Sequence, residues 1–196
     1  MTSSPDADTA EPVAPVVEPA WHLAGARDGF DRLWTPYRMA YIQGEDKPSD
    51  ASEGECPFCR APKLRDEDGL VVARGGLVYV VLNLYPYNTG HIMVVPYRHV
   101  SLYTELTPEE TVEFGTTTQT AMHVLDEVSG CQGFNIGMNQ GVAGGAGIAA
   151  HLHQHVVPRW GGDANFLPIV GRTKALPELL ADTRRRLADG WSRVGS

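Results

Sequence analysis

His151-Leu152-His153-Gln154-His155-Val156-Val157-Pro158-Arg159-Trp160 is the stretch on which the reading of this chain turns. Three histidines alternate with other residues and run into a β-branched pair closed by proline, the pattern of a strand whose side chains point by turns to two faces. All three imidazoles then share one face, while Leu152 and Val156 take the other, which a core can bury. Of seven histidines in the chain, three fall within these five positions, so the row is read as functional. An imidazole with an unperturbed pKa of about 6.5 serves near neutral pH as base, acid, nucleophile or metal ligand.

Directly upstream lies Asn139-Gln140-Gly141-Val142-Ala143-Gly144-Gly145-Ala146-Gly147, a loop of small residues. Glycines let the backbone come close to a bulky group, and successive N–H groups form a concavity suited to anions such as phosphate. The loop lacks the Lys-Ser/Thr ending of a phosphate-binding loop and does not fit GxGxxG. Its place before a histidine strand points to a phosphate cradle beside a nucleophile.

The run HLHQHVV, residues 151–157, resembles the HxHxHxx signature of the histidine triad (HIT) superfamily of nucleotide hydrolases and transferases. Asn83-Leu84-Tyr85-Pro86, followed by Gly90-His91-Ile92-Met93-Val94-Val95-Pro96 and His99, is similar to the second signature of that superfamily, in the same order along the chain. The similarity covers roughly Cys56 to Trp160. The flanks Leu33 to Arg38 and Pro158 to Phe166 are most similar to the bacterial branch that cleaves diadenosine polyphosphates, which includes actinobacterial diadenosine tetraphosphate phosphorylases.

Composition agrees with a single domain. The chain has 196 residues, 42% of them hydrophobic, enough for one real core. A net charge of −8 argues against a general nucleic-acid binder, which needs a broad basic surface. A small anionic substrate needs only a local positive pocket. No apolar run is long enough to span a membrane, and no basic start followed by an apolar stretch marks a secretion signal. Three cysteines make no disulfide framework, and a cytoplasmic protein is expected.

Residues 1–26, rich in Pro, Ala, Asp and Glu, are expected to form a disordered tail ahead of a single domain over 27–196 with its core in 56–166. Phe30 to about Gln43 carries an aromatic stripe at helical spacing, read as an amphipathic packing helix. Cys56-Pro57-Phe58-Cys59 offers half of a tetrahedral zinc site, the alternatives being a redox pair or a pair without metal. Cys131 is read as a plain buried thiol. Gly69 to Arg74 and Leu77 to Leu84 are β-rich runs split by Gly75-Gly76, a hairpin signal, and His91 to Val95 follows as a third strand. Thr107-Pro108-Glu109-Glu110 is a capping box that opens a helix to about Ser129, ended by Gly130, with Met122, Leu125 and Val128 inward and His123 outward. Phe134 to Met138 is a further strand. A last helix over about 176–190 sets Leu176, Leu179, Leu180, Leu187 and Trp191 on one side and Arg184 to Arg186 toward solvent.

The resemblance implies an α+β fold of two layers, an antiparallel sheet with helices on one side, in a homodimer. It implies that His153 attacks the α-phosphorus of a dinucleoside polyphosphate to give a nucleotidyl-histidine, and that water or phosphate then takes the nucleotide. His155 would ease departure of the leaving polyphosphate, and Gln140 would lie near the transferred phosphate with Asn139 beside it. Asn83 would meet the ribose hydroxyls, His91 would support the site, and the backbone of Gly145, Ala146 and Gly147 would cradle phosphate. Many relatives carry a hydroxyl residue where this chain has Ile148, so those amides must supply that contact. Arg159 and Trp160 would hold the distal phosphate or the second base. A structural zinc would be held by Cys56, Cys59, His99 and His151, with no cofactor needed for the chemistry. Two other readings stay open: a hydrolase whose histidine row binds a catalytic zinc, and a nucleotide-binding protein without turnover.

Overall fold

Five strands run β1 (Val71–Arg74), β2 (Val78–Leu82), β3 (Ile92–Pro96), β4 (Gly133–Gly137) and β5 (Gln154–Arg159). They form one sheet in the order β1-β2-β3-β5-β4, and every neighbouring pair is antiparallel. The computed structural model describes residues 53–141, 143–163 and 178–194. The expected tail, the helix over 30–43 and Leu176 lie outside the described residues.

Alternation along the strands sorts side chains into two layers, as the period of two requires. Val78, Val80 and Leu82 of β2, Ile92 and Val94 of β3, and Leu152 and Val156 belong to one apolar cluster. Tyr79, Val81, Met93 and Val95 point the other way and join Cys56, Phe58, Cys59 and Ile148. The first cluster is closed by α2 (Pro108–Ser129) and α3 (Leu180–Val194), which supply Phe114, Ala121, Val124, Leu125 and Leu187. The second is closed by α1 (Pro57–Arg60), a single turn that carries the cysteine pair.

The signals that set α2 are present in its first and last turns. Thr107 Oγ1 accepts from the Glu110 amide at 3.2 Å, and Glu110 Oε2 accepts from the Thr107 amide at 2.8 Å. Gly130 ends the helix at φ +58°, a left-handed conformation that glycine adopts without penalty, and its N–H donates to the Asp126 carbonyl at 2.7 Å. Glu110 also takes the Arg98 guanidinium at 2.9 and 2.6 Å, so the helix cap anchors the segment that bears His99. Farther along α2, Glu113 Oε1 accepts the amides of Leu77 and Val78 at 2.9 and 3.3 Å and pins the β1–β2 turn.

Several expectations need correction. β5 begins at Gln154, so His151 and His153 precede the ladder rather than lie in it. The reason is that the Leu152 amide donates to the Val100 carbonyl at 2.6 Å, in the segment after β3, instead of pairing with a neighbouring strand. The inward side of α2 is Glu110, Phe114, Thr118, Ala121, Val124 and Leu125, with Met122 and Val128 only partly covered. The last helix runs from Leu180 to Val194, and Leu179 is 74% exposed just before it. Arg184 is not solvated: its Nε donates to the Val71 carbonyl at 2.7 Å, tying α3 to the bulged edge strand β1. His123 is exposed and Cys131 is buried and unbridged, as expected.

Candidate active site

On the face away from α2 and α3, the three histidines of the row are held by three different kinds of partner. His151 is 1% exposed, and its Nε2 stands 2.9 Å from the Pro96 carbonyl. A carbonyl only accepts, so Nε2 carries the proton and Nδ1 presents its lone pair to the cysteines. That nitrogen lies 3.4 Å from both Cys56 Sγ and Cys59 Sγ, and His99 Nδ1 lies 3.2 Å from Cys59 Sγ. The four donor atoms all fall within 4.8 Å of one another.

Ligands of a tetrahedral zinc ion stand about 3.3–3.8 Å apart, given bonds of about 2.0–2.3 Å, and two thiolates with two imidazoles are among its preferred sets. The group therefore fits a metal ion, and the Pro96 carbonyl supplies the outer hydrogen bond that orients a ligating histidine. Without a cation, burial and the neighbouring Cys56 push the Cys59 thiol up to about 11, and burial pushes the His151 pKa down to about 4.

His153 is turned the other way. Its Nδ1–H donates to the backbone carbonyl of His151 at 2.8 Å, which leaves the lone pair on Nε2. Burial lowers its pKa, working against that carbonyl, so the ring is neutral near pH 7. The Phe58 ring lies over it at 4.8 Å between centroids and also meets the edge of His151 at 5.6 Å. Tyr79 Oη fixes this turn by donating to the Phe58 carbonyl at 2.7 Å.

His155 is the partly exposed member of the row, and its Nδ1 is 2.9 Å from His91 Nε2. His91 is fully buried beside Tyr87, whose ring centroid is 4.6 Å away, and the Tyr87 amide donates to His91 Nδ1 at 3.0 Å. Asn83 turns its amide nitrogen to the same His91 Nδ1 at 3.3 Å, while its Oδ1 accepts the Tyr85 amide at 2.9 Å. The structure thus brings Asn83, His91, His153 and His155 into one connected group next to the four-residue Cys/His cluster.

The remaining expected residues lie around this centre. Gln140 is exposed and its Oε1 accepts the Tyr103 amide at 2.8 Å, which ties the glycine loop to the segment after β3. Gly145 takes φ +76°, and a Cβ at Gly144 would sit 2.4 Å from the Gln140 carbonyl oxygen, so both positions require glycine. Ala146 and Ile148 are buried. Arg159 shares the face of His153 and His155, with its guanidinium held by Asp163 and by Asn135 Oδ1 at 2.6 Å. Trp160 packs against the helix-side cluster, its Nε1–H donating to the Ser129 carbonyl at 3.3 Å.

Phe58, Tyr79 and Tyr87 were not expected in the site. For Phe58 the signal was available, since it is the large apolar residue between the two candidate ligands Cys56 and Cys59. For Tyr79 and Tyr87 it was not, because one acts through a distant carbonyl and the other through its backbone.

The HIT domain family matches residues 65–162 of the chain. A protein of Mycobacterium tuberculosis named AP-4-A phosphorylase is 56% identical over 173 residues, which cover 86% of this chain and 88% of that one. The chain belongs to the HIT family. The bis(5'-nucleosyl)-tetraphosphatase (asymmetrical) of Schizosaccharomyces pombe is 34% identical to this HIT protein over 89 residues, 45% of this chain and 48% of that one. Among solved structures, a Zn-bound histidine triad family protein from Mycobacterium smegmatis superposes with a TM-score of 0.57 at 22% identity, covering 74% of this chain and 98% of that one. That likeness shows the fold, an α+β domain built on an antiparallel sheet. The matched HIT region begins at residue 65, so the Cys56–Cys59 turn stands outside it.

Proposed function

We propose that this chain is a nucleotidyltransferase that cleaves dinucleoside polyphosphates of the diadenosine tetraphosphate type, through a nucleotide bonded to His153 and with inorganic phosphate as the acceptor. The observation that carries the reading is the 2.8 Å hydrogen bond from His153 Nδ1 to the His151 carbonyl, which fixes the tautomer of a neutral ring with its lone pair on Nε2. In the first step Nε2 bonds to the α-phosphorus as the bond from that phosphorus to the bridging oxygen breaks, and ATP departs. In the second, a phosphate oxygen bonds to the same phosphorus, the P–N bond breaks, and ADP is released. Each displacement is easier than the single one it replaces. His155 stabilises charge on the departing oxygen. The amides of Gly145, Ala146 and Gly147, with Asn139 and Gln140, face the phosphates, Asn83 meets the ribose, and Arg159 meets the distal phosphate. Trp160 is assigned to the flank that receives the second nucleotide.

The identity of the relative named AP-4-A phosphorylase supports phosphate over water as acceptor. Incubation with diadenosine tetraphosphate decides it: ADP with ATP in the presence of phosphate means phosphorolysis, and AMP with ATP whether or not phosphate is present would replace that part of the reading with hydrolysis.

Zinc is the ion assigned to Cys56, Cys59, His99 and His151. When bound it neutralises two thiolates and holds the α1 turn in place. Occupied by that cluster, His151 is unavailable for catalysis, and His153 is not among the four residues whose donor atoms come together. This division disfavours a catalytic zinc on all three histidines. Metal analysis is expected to find about one zinc per chain. The reading includes a homodimer, supported by the exposed edge strand β4 with Ile136 45% exposed, and a cytoplasmic setting, supported by the unbridged Cys56, Cys59 and Cys131. No helix of the described residues is long and apolar enough to cross a membrane.

A further inference from the structure

We infer that Asn88 is a positioning residue for the distal half of the substrate: through Asp163 it holds the Arg159 guanidinium in one direction, so that Arg159 meets a phosphate as a fixed hydrogen-bond donor and not as a loose counter-ion. This rests on the reading of Arg159 as the contact of the distal phosphate and adds to it the residues that aim it.

Asn88 lies between β2 and β3, is 6% exposed, and has its side-chain amide oriented by groups that can act in only one way. The Pro158 carbonyl, 3.0 Å from Nδ2, and the Asp163 carboxylate, 2.8 Å from it, only accept, so both amide hydrogens are used there. The Thr89 N–H donates to Oδ1 at 3.2 Å, and the backbone carbonyl of Asn88 accepts the His91 N–H at 3.1 Å. One buried side chain thus fastens the loop that begins with Asn83 to the end of β5.

Asp163 gathers the other end. Its side chain is 9% exposed, and its two oxygens accept from Asn88, from Arg159 Nε at 2.7 Å and Nη2 at 2.8 Å, and from the Trp160 amide at 3.2 Å. Asn135 Oδ1 takes Nη1 of the same guanidinium at 2.6 Å. Three of the five N–H groups of the guanidinium are therefore engaged, and the plane of the fork fixes where the other two point. The Asp163 charge offsets that of Arg159, so what the fork offers a phosphate is direction more than attraction at a distance. Its rotamer freedom is lost before a ligand arrives, which lowers the cost of binding. Without Asn88 the Pro158 carbonyl and one contact of the buried carboxylate would be left unsatisfied, and the fork could swing. The loop that meets the ribose through Asn83 thus also aims the group that meets the far phosphate, which joins recognition of the two halves of a dinucleotide at one side chain.

The test is a double-mutant cycle on kcat and KM for diadenosine tetraphosphate, at saturating phosphate, in Asn88→Ala, Arg159→Ala and the pair. Arg159→Ala is expected to raise KM about 10–100-fold, as for hydrogen bonds lost to a charged partner. Asn88→Ala should raise KM about fivefold or more with kcat within about threefold of native. When Arg159 is already alanine, the same change should move KM by less than about twofold. A purely structural role would carry over into the double variant, so an equal effect in both backgrounds overturns the proposal, as does native KM in Asn88→Ala. Asp163→Asn keeps the proposal testable if Asn88→Ala does not fold, since it preserves the shape of the side chain and removes the charge that offsets Arg159. Orientation predicts a higher KM there, and a KM that falls, as for a counter-ion set free, overturns the proposal. Native KM in Arg159→Ala removes Arg159 from the substrate reading and this inference with it, whereas a raised KM there beside an unmoved one in Asn88→Ala sinks only this inference.

Discussion

On one face of the sheet Val80, Leu82, Ile92, Val94, Leu152 and Val156 meet α2 and α3 in an almost wholly aliphatic layer. On the other, the intervening residues of the same strands meet two cysteines, Phe58 and Ile148, with the buried His151 and His153 alongside. Both faces exclude water, but exclusion does different work on each. Toward the helices it stabilises by removing apolar area from water, at about 25 cal/mol per Å². Toward the site it changes proton affinity: the same burial lowers the pKa of His151 and His153 and raises that of Cys59. The two are joined along one stretch, since Leu152 packs on the helix side between two histidines that face the other way.

That contrast can be broken at several points. The largest effect is expected for His153→Ala, which should lower turnover by at least about 10⁴-fold while leaving nucleotide affinity near native, because the glycine loop is untouched. Steady-state rates with calorimetric binding check both halves. Cys59→Ala should instead cost several kcal/mol of stability, in line with the apparent free energies of structural zinc sites of about 10 kcal/mol. The rate per folded molecule should fall far less, and denaturant melts paired with active-site titration measure the split.

Metal-stripped protein should become acid-sensitive. The folded pKa of His151, about 4, lies below its unfolded value of about 6.5, so the unfolded chain binds the proton first. The associated stability is whole above pH 6.5 and is lost as pH falls toward 4, amounting to roughly 3 kcal/mol from His151 by the 1.36 kcal/mol per unit rule, with His153 adding in the same direction. Urea melts across that window measure it. The smallest effect belongs to the helix side. A Cβ at Gly190 of α3 would lie 2.4 Å from Val128 Cγ2 of α2, so Gly190→Ala should destabilise by about 1 kcal/mol after its gain in helix propensity, with no change in rate per folded molecule.

Local signals in the sequence carried much of this architecture. The β-rich run around Val78 to Leu82, the alternation that turns Leu152 and Val156 away from the histidines, the Thr107/Glu110 box and the Gly130 stop are statements about neighbours, and they hold in the structure, although the strand itself starts only at Gln154. The Cys/His cluster was reached through family resemblance, since Cys59 and His151 are 92 positions apart and no local pattern joins them. What stayed hidden depends on long-range polar contacts. The partial burial of Arg184 follows from a carbonyl 113 residues away, and the Glu113 contact with the β1–β2 turn from amides 36 and 35 residues away. The role of Tyr87 was illegible for another reason: its N–H is common to all residues but proline, so nothing in the side-chain order marks it. Leu179 fits the helical spacing but precedes the first residue of α3, and the face it was assigned to does not yet exist there.

The most direct test of the account is to mix the enzyme with diadenosine tetraphosphate in the absence of phosphate, quench within the first turnover, and locate any covalently bound nucleotide by peptide mass spectrometry. The account predicts adenylate bonded to the peptide that holds His153, appearing in step with ATP and discharged as ADP when phosphate is added. Turnover at native rate with no protein-bound adenylate, or with adenylate on His151 or His155 instead, would contradict it.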